Sequence, residues 1–554
     1  MDARRVIIFI LLSVGLMFIW DKYIDPQKPQ TNTINTSSSN QSANNNVAAP
    51  TQINNDNANV SANGQLITVT TDLLQVQIST VGGNLQSVNL LSQGSQDNPK
   101  QPYALIANDA SHTFIAQTGL VDNSGITLPT HNSLFVAEKY NYVLDTSQDS
   151  IKVDLKSEEN NGIVVVKTYT FKRNSYVVNI GYQILNNSNT DLTGVSAYWR
   201  LLRDENTPSG DTKFVHTFTG AAYYTEEAKF NTLKLSNLVK NDVSYPEATD
   251  NGWVGFIQHY FAVLWLLNPY GTPNVCANGV NCRLNFKGVN NTFASAGVLT
   301  DLPTIKAHTN FAINVPLFAG PEEYKVLSSI APHLELTKDY GWVYIFATPL
   351  FWLLVKLYAI VKNWGWAIIL LTLVVKLVLY PLTRASYISM AKMKALAPKM
   401  EKIKEQYAND RVKMQQAVMQ MYKNEKVNPI GGCLPMLLQI PVFIGLYWAL
   451  LSSVELRQAS FMWIHDLSRP DPYFILPVVL AISMFLQTFL NPPSADPVQA
   501  KMMRIMPVAF SVMFFFFPAG LVLYWLVNNV LSISQQWYVN NHVTLKRNNR
   551  QQKK

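Results

Sequence analysis

The stretch Ile368-Ile369-Leu370-Leu371-Thr372-Leu373-Val374-Val375-Lys376-Leu377-Val378-Leu379-Tyr380 decides how the chain is read. It lies inside an apolar run over 364–382, long enough for a helix that crosses a bilayer. Lys376 is the one charge in that run. A cation at membrane depth costs several kcal/mol unless it meets water, a partner or a bundle interior, so a functional role is the first reading. The second reading is snorkelling, because Lys376 lies toward one end of the run. Thr372 stands four residues earlier, on the same helical face, which favours a polar groove.

Outward from that helix, apolar runs recur at 430–451, 473–490 and 505–538. The last is broken at Pro518-Ala519-Gly520 and reads as two short spans joined by a tight turn. The run over 342–362 is apolar too, but it carries Pro349, Lys356 and Lys362. Charge settles where it goes. Residues 384–428 hold ten Lys/Arg against four acids, and the tail from 540 adds five more bases, whereas 21–363 sums to about −5. Were 342–362 a span, the basic loop would fall outside the cytoplasm, against the positive-inside rule. It is therefore expected in the outer interface as an amphipathic helix.

The N-terminus has Arg4 and Arg5 before an apolar run over 6–20, followed by Asp21-Lys22-Tyr23 rather than a small-residue cleavage site. The expectation is an uncleaved anchor, 1–24, with its start in the cytoplasm. Residues 25–64 are Asn, Ser, Thr and Gln with scattered Pro and Ala, a tether that buries too little apolar surface to fold. From 65 to about 318 the pattern is β. Residues 151–156 alternate, while 164–171 and 176–182 are β-branched and aromatic around a turn at Lys172-Arg173-Asn174-Ser175. A large antiparallel sandwich outside the cytoplasm follows. Charged residues are only 14% of the 554 and hydrophobic ones 48%, with the deficit of charge concentrated after Trp342.

The formal charge of +8 invites a nucleic-acid reading, but its segregation fits membrane topology, and no DNA partner is expected. No GxSxG, HExxH or P-loop pattern occurs, so no enzyme, catalytic residue, metal or cofactor is called for. Cys276 and Cys282 lie in an Asn/Gly loop and read equally as a disulfide or as two free thiols. A transporter would place carboxylates at membrane depth, and a carbohydrate enzyme would pair acids in the β region; the later spans hold no acid to match Lys376. Residues 386–406 and 411–423 read as a helical hairpin turning at Ala408-Asn409-Asp410. Met390, Met393, Met400, Met414 and Met421 fall at helical spacing within it, either as packing for the hairpin or as a soft binding seam. Its basic residues, Lys392 and Lys394 among them, suit cytoplasmic retention, anionic lipid or ribosomal RNA.

Several motifs resemble the YidC/Oxa/Alb insertase family in its Gram-negative YidC form. They are Tyr380-Pro381-Leu382-Thr383, Ser389-Met390-Ala391-Lys392-Met393 and Glu425-Lys426-Val427-Asn428-Pro429-Ile430-Gly431-Gly432-Cys433. With them go Val454-Glu455-Leu456-Arg457-Gln458-Ala459, Trp463-Ile464-His465-Asp466-Leu467-Ser468 and Phe517-Pro518-Ala519-Gly520-Leu521-Val522-Leu523-Tyr524. The resemblance implies a polytopic α-helical membrane protein with six transmembrane helices, five forming the family core, and a periplasmic all-β supersandwich. That shape is shared with sugar-processing enzymes, and fold does not transfer function.

The implied divisions are the anchor 1–24, linker 25–64, β domain 65–320, interfacial helix region 321–363, spans 364–383, 429–453, 473–490, 505–517 and 518–538, cytoplasmic hairpin 384–428, periplasmic loop 454–472, cytoplasmic loop 491–504 and basic tail 539–554. Both termini would be cytoplasmic in the bacterial inner membrane. The implied activity is insertion, folding and assembly of membrane proteins, alone or with the Sec translocon. Implied partners are nascent membrane proteins, SecYEG and SecDF, the ribosome and signal recognition particle receptor, and lipid. A hydrophilic groove, closed to the outside, would be lined by Lys376, Thr372, Gln439, Tyr524, Trp525 and Asn528, with Gln439 and Asn528 readable also as helix–helix hydrogen bonds. Family members usually carry Arg where this chain has Lys376, so charge is kept and the planar fork is lost. The β domain would dock translocon partners or be partly dispensable.

Overall fold

The computed structural model describes residues 64–552, apart from 96–97, 110–111, 123–125, 206–217, 339–342, 408–409, 426, 428–433 and 492–496. The expected anchor and nearly all of the linker lie outside the described residues.

Residues 66–321 form two packed sheets, of ten and nine strands. Pairing is antiparallel except where Thr68–Thr70 runs parallel to Asn141–Val143. The alternation read at 151–156 is a real strand, Ser150–Ser157, whose Val153, Leu155 and Ser157 point inward. Strands Ile163–Lys172 and Val177–Asn186 pair with Phe171 opposite Val178, and Asn174 takes φ 53° in the turn between them. Asn tolerates that left-handed conformation better than most residues. Trp199, Trp253 and Trp265 fill the space between the sheets without solvent contact.

One cation also sits there, which no sequence pattern announced. Lys167 is fully buried and donates from Nζ to the carbonyls of Gly82 (2.8 Å) and Gly83 (2.7 Å). Burial holds its amine well below the usual lysine range. Gly82 has φ +70°, and a Cβ there would stand 2.0 Å from the His131 carbonyl oxygen, so only glycine fits this turn.

Cys276 and Cys282 are joined as a disulfide across a separation of six residues, in keeping with an exported domain. Replacing both by Ser is expected to lower the stability of the β domain by about 2 kcal/mol, the loop-closure value for so short a ring. Thermal unfolding with and without reductant measures this. An unchanged midpoint would mean that the pairing of Thr249 with Cys282 already holds the loop.

Beyond residue 343 the described residues are mainly helical. Helices Tyr344–Val361, Trp364–Val378, Leu434–Leu451, Ile475–Thr488 and Ala519–Gln552 pack around one apolar core containing Phe351, Leu371, Leu450, Leu480 and Val522. Pro497–Ser511 lies beside it, with the Phe510 ring 5.4 Å from that of Phe514. Among the described residues, Tyr344–Val361 is the one helix long and apolar enough by itself to cross a membrane. Trp364–Val378 with Tyr380–Ala395 qualifies only as a pair bent by 69°. The bend is written in Tyr380-Pro381: a proline in the first turn of a helix lacks the N–H that would continue the preceding one. The same device at Ala397-Pro398 divides the first arm of the hairpin, expected as one helix over 386–406, into Tyr380–Ala395 and Ala397–Gln406.

The hairpin's second arm is Arg411–Asn424, capped by Asp410 through Lys413 N–H. Met393, Met400 and Met421 pack inside the hairpin with Leu396 and Val418, and Met390 flanks them, so these methionines serve as its packing. Met414 lies outside that seam. The other departure is at the C-terminus. Ala519–Gln552 is one helix of 34 residues through most of the expected basic tail, since no Gly or Pro follows Gly520 to end it. Before it, Pro497–Ser511 begins inside the expected loop 491–504 and tightens into a 3₁₀ turn, Val512–Phe515, at the Pro518 break.

Candidate functional site: a lysine held by the last helix

Helix Trp364–Val378 starts at Asn363, whose side chain accepts from Trp366 N–H at 3.1 Å. Lys376 falls in its last turn, where the negative end of the helix dipole favours a cation. Its Nζ donates to Ser532 Oγ at 2.7 Å. Ser532 in turn donates to the Asn528 carbonyl at 2.7 Å, so its oxygen is free to accept from Lys376. Tyr387, from helix Tyr380–Ala395, shares Ser532 as a hydrogen-bond partner. Among the described residues no carboxylate pairs with Lys376. An ammonium has three donors, and one is used here.

Ser532 belongs to a polar row along one face of the last helix: Asn529, Ser532, Gln535 and Gln536, at spacings of three and four. Each member ties to a different neighbour. Asn529 Nδ2 donates to Ser483 Oγ (2.8 Å), and Gln535 Nε2 to Thr383 Oγ1 (2.9 Å). Gln536 Nε2 donates to the Leu490 carbonyl at 3.2 Å. Lys394 Nζ reaches the Phe489 carbonyl at 2.9 Å, so the hairpin base caps the C-terminal end of helix Ile475–Thr488. Of these residues the sequence singled out Lys394, as part of the hairpin, but not Asn529, Ser532, Gln535 or Gln536. The repeat of polar residues at 529, 532 and 536 within an apolar helix was the available signal.

The expected site residues separate into two groups. Lys376 and Asn528 meet at Ser532, Asn528 through its backbone carbonyl. Tyr524 is buried and hydrogen-bonds with Gln439, joining the last helix to Leu434–Leu451 about two turns away from Ser532. Trp525 packs among Phe443 (4.6 Å, edge-on), Phe514 (4.8 Å) and Phe510 (5.9 Å). Its indole N–H is buried and has no hydrogen-bond partner among the described residues. Thr372 joins neither group: it is buried, and its hydroxyl donates to the Ile368 carbonyl one turn back at 2.7 Å. Threonine in a helix often spends its hydroxyl so. In the hairpin Met393 is buried, Met390 packs beside it, and Lys392 is exposed.

The YidC periplasmic domain family matches residues 66–353, and the 60Kd inner membrane protein family matches 356–547. The membrane protein insertase YidC of Laribacter hongkongensis is 52% identical over 98% of both chains. That of Neisseria gonorrhoeae is 49% identical over 87% of this chain and 89% of its own. A solved structure described as an active YidC insertase with its first transmembrane domain resolved aligns at 20% identity. It covers 86% of this chain and 95% of that one, with a TM-score of 0.38. The chain thus belongs to the YidC membrane protein insertase family: an inner-membrane protein with a periplasmic β domain, whose function is the insertion of membrane proteins.

Proposed function

We propose that insertion proceeds through a polar groove between the helices, in which Lys376 attracts the acidic or polar outer segment of a passenger. The observation that carries this reading is the ammonium of Lys376, held on a serine of the last helix with no carboxylate beside it among the described residues. Attraction at a distance needs an uncompensated charge, and a salt-bridged lysine would offer little. The passenger's apolar helix partitions into lipid and supplies the driving force. The groove shortens the path over which polar groups lose water.

The proposed topology has both termini in the cytoplasm and the core spans short. Several apolar helices, Ile475–Thr488 among them, fall below the usual ~20 residues, which suits a locally thinned bilayer. Tyr344–Val361 is placed in the outer interface on charge grounds, although its length would also let it cross. The Sec translocon, ribosome and signal recognition particle receptor are proposed as partners on the family resemblance. The purified protein in liposomes is expected to insert a short single-span passenger with an acidic outer segment, scored by protease protection. Insertion no higher than in empty liposomes would sink unassisted insertion by this chain.

A further inference from the structure

The β domain and the helical bundle meet at one well-built joint. Strands Trp253–Gln258 and Phe261–Leu266 are joined by His259 and Tyr260, and Tyr260 is a non-glycine residue at φ +73°. A bulky side chain in that left-handed conformation is strained and persists only where its surroundings over-determine it. Here the surroundings are the loop over 451–471. His259 Nε2 donates to the Leu451 carbonyl at 3.0 Å, and the Tyr260 hydroxyl hydrogen-bonds with Ser468. Next to them the Arg457 guanidinium lies 5.2 Å from the Tyr103 ring and 5.4 Å from that of Phe261. It donates to the Gly94 carbonyl at 2.6 Å.

The same loop supplies the helices with their ends. The carbonyls of Arg469 and Leu467 accept from the N–H groups of Ala519 (2.7 Å) and Gly520 (2.9 Å), the first residues of the last helix. Asp471 accepts from Leu476 N–H at 2.7 Å, capping helix Ile475–Thr488. Asn363, at the start of the Lys376 helix, donates to the Ser460 carbonyl at 3.1 Å. Phe461 presses on Gly365 in that helix, where a Cβ would stand 2.1 Å from the ring. One loop therefore sets the β-domain end of three helices, two of which carry Lys376 and Ser532.

We propose that the hairpin tip Gln258–Phe261, with the neighbouring strand end at Gly94, is a positioning element: through Arg457, which Phe261 and Gly94 share, and through Ser468 it holds the loop 451–471 as a cap over the outer end of the groove. The inference rests on the groove reading. It assigns the β domain a task that needs no contact with the passenger, namely keeping the site shut on the outer side. Insertion itself would survive loss of much of the β domain, while the seal would not.

The test uses the full-length protein in liposomes loaded with carboxyfluorescein, with insertion scored in parallel. Arg457→Ala is expected to raise dye leakage about tenfold, the factor one lost charge-assisted hydrogen bond puts on a two-state equilibrium. Arg457→Lys should fall between, since it keeps the cation and loses the fork. Tyr260→Phe, which removes only the hydroxyl from Ser468, guards against a variant that merely fails to fold. Amide exchange over 454–471 and 519–522 should quicken by a similar factor in each leaky variant. Leakage equal to the intact protein in Arg457→Ala and Tyr260→Phe overturns the proposal. So does faster exchange with no rise in leakage, because the loop would then be no seal. Lys376→Glu is expected to lose insertion without leaking, so a failed groove and a failed cap give different results.

Discussion

Lys376→Glu abolishes insertion of a passenger with an acidic outer segment, while Lys376→Arg retains it and Lys376→Ala falls between. The ordering follows from charge alone. At about 10 Å and an effective dielectric of ~20, one ion pair is worth about 1.7 kcal/mol, nearly twentyfold in occupancy. Losing the charge forfeits that factor. Reversing it separates Lys from Glu by about twice the energy, some three-hundredfold. The same set is expected to converge when the passenger's outer segment is neutral, because nothing is left to attract. Protease-protected product per unit time in liposomes reads all of these values. Equal rates for Lys376, Arg, Ala and Glu with the acidic passenger would discard the charge mechanism and leave the family assignment standing.

The hydrogen bond to Ser532 sharpens what Arg must do. A lysine offers a rotatable ammonium, and the Ser532 oxygen takes one of its three donors at 2.7 Å. An arginine would bring a rigid fork, longer than lysine, to a serine that already donates to the Asn528 carbonyl and shares a hydrogen bond with Tyr387. Charge would be conserved and the angle of approach would change. Retained activity in Lys376→Arg is therefore evidence for attraction at a distance, and a sharp loss there would point to a fitted contact instead.

Lys376 was legible because a lone cation in an apolar run is expensive wherever it points, so position alone flagged it. Ser532 was not, since a serine in a helix is cheap and its importance appears only when two helices 156 residues apart in sequence face each other. Thr372 shows the limit of same-face reasoning: the spacing was right, yet its hydroxyl turned back to Ile368. In the β domain the pair Ile163–Lys172 and Val177–Asn186 was readable from alternation and one turn, because it is local. Lys167 was not, because its two acceptor carbonyls belong to a glycine turn 84 and 85 residues earlier. The joint is less local still. Arg457 and Gly94 are 363 residues apart, and only the closed fold makes them neighbours.

Glu455→Ala is expected to destabilise the protein by about 3–5 kcal/mol, the usual loss when one partner of a buried pair is removed. Lys338 Nζ sits 2.9 and 3.1 Å from the two Glu455 carboxylate oxygens, and the lysine side chain is 1% exposed. The ammonium also lies 4.2 Å from the Phe351 ring centroid, in helix Tyr344–Val361. Without Glu455 that cation stays buried beside the Phe351 ring, with Glu323 acting on it only at a distance, and a ring returns only ~2 kcal/mol of what a carboxylate gives. Lys338→Met with Glu455→Leu should recover most of the loss, because two well-packed apolar side chains escape the desolvation that the pair must overcome. Tryptophan fluorescence during thermal unfolding in detergent compares the three proteins. If the double variant is as unstable as Glu455→Ala, the pair acts through its geometry and not through the burial of an uncompensated charge. Glu323 gives a second reading of the same contact. Its carboxyl is pushed up by burial first and by Glu455 next, while Lys338 pulls it down. A carboxyl raised in the folded state contributes stability below its unfolded pKa, and that contribution is lost as pH climbs through the folded value. Glu455→Gln removes the repulsion and leaves the attraction of Lys338. The loss of stability with rising pH that belongs to Glu323 should then shrink, which pH-resolved unfolding would register even where the midpoint at neutral pH has already fallen.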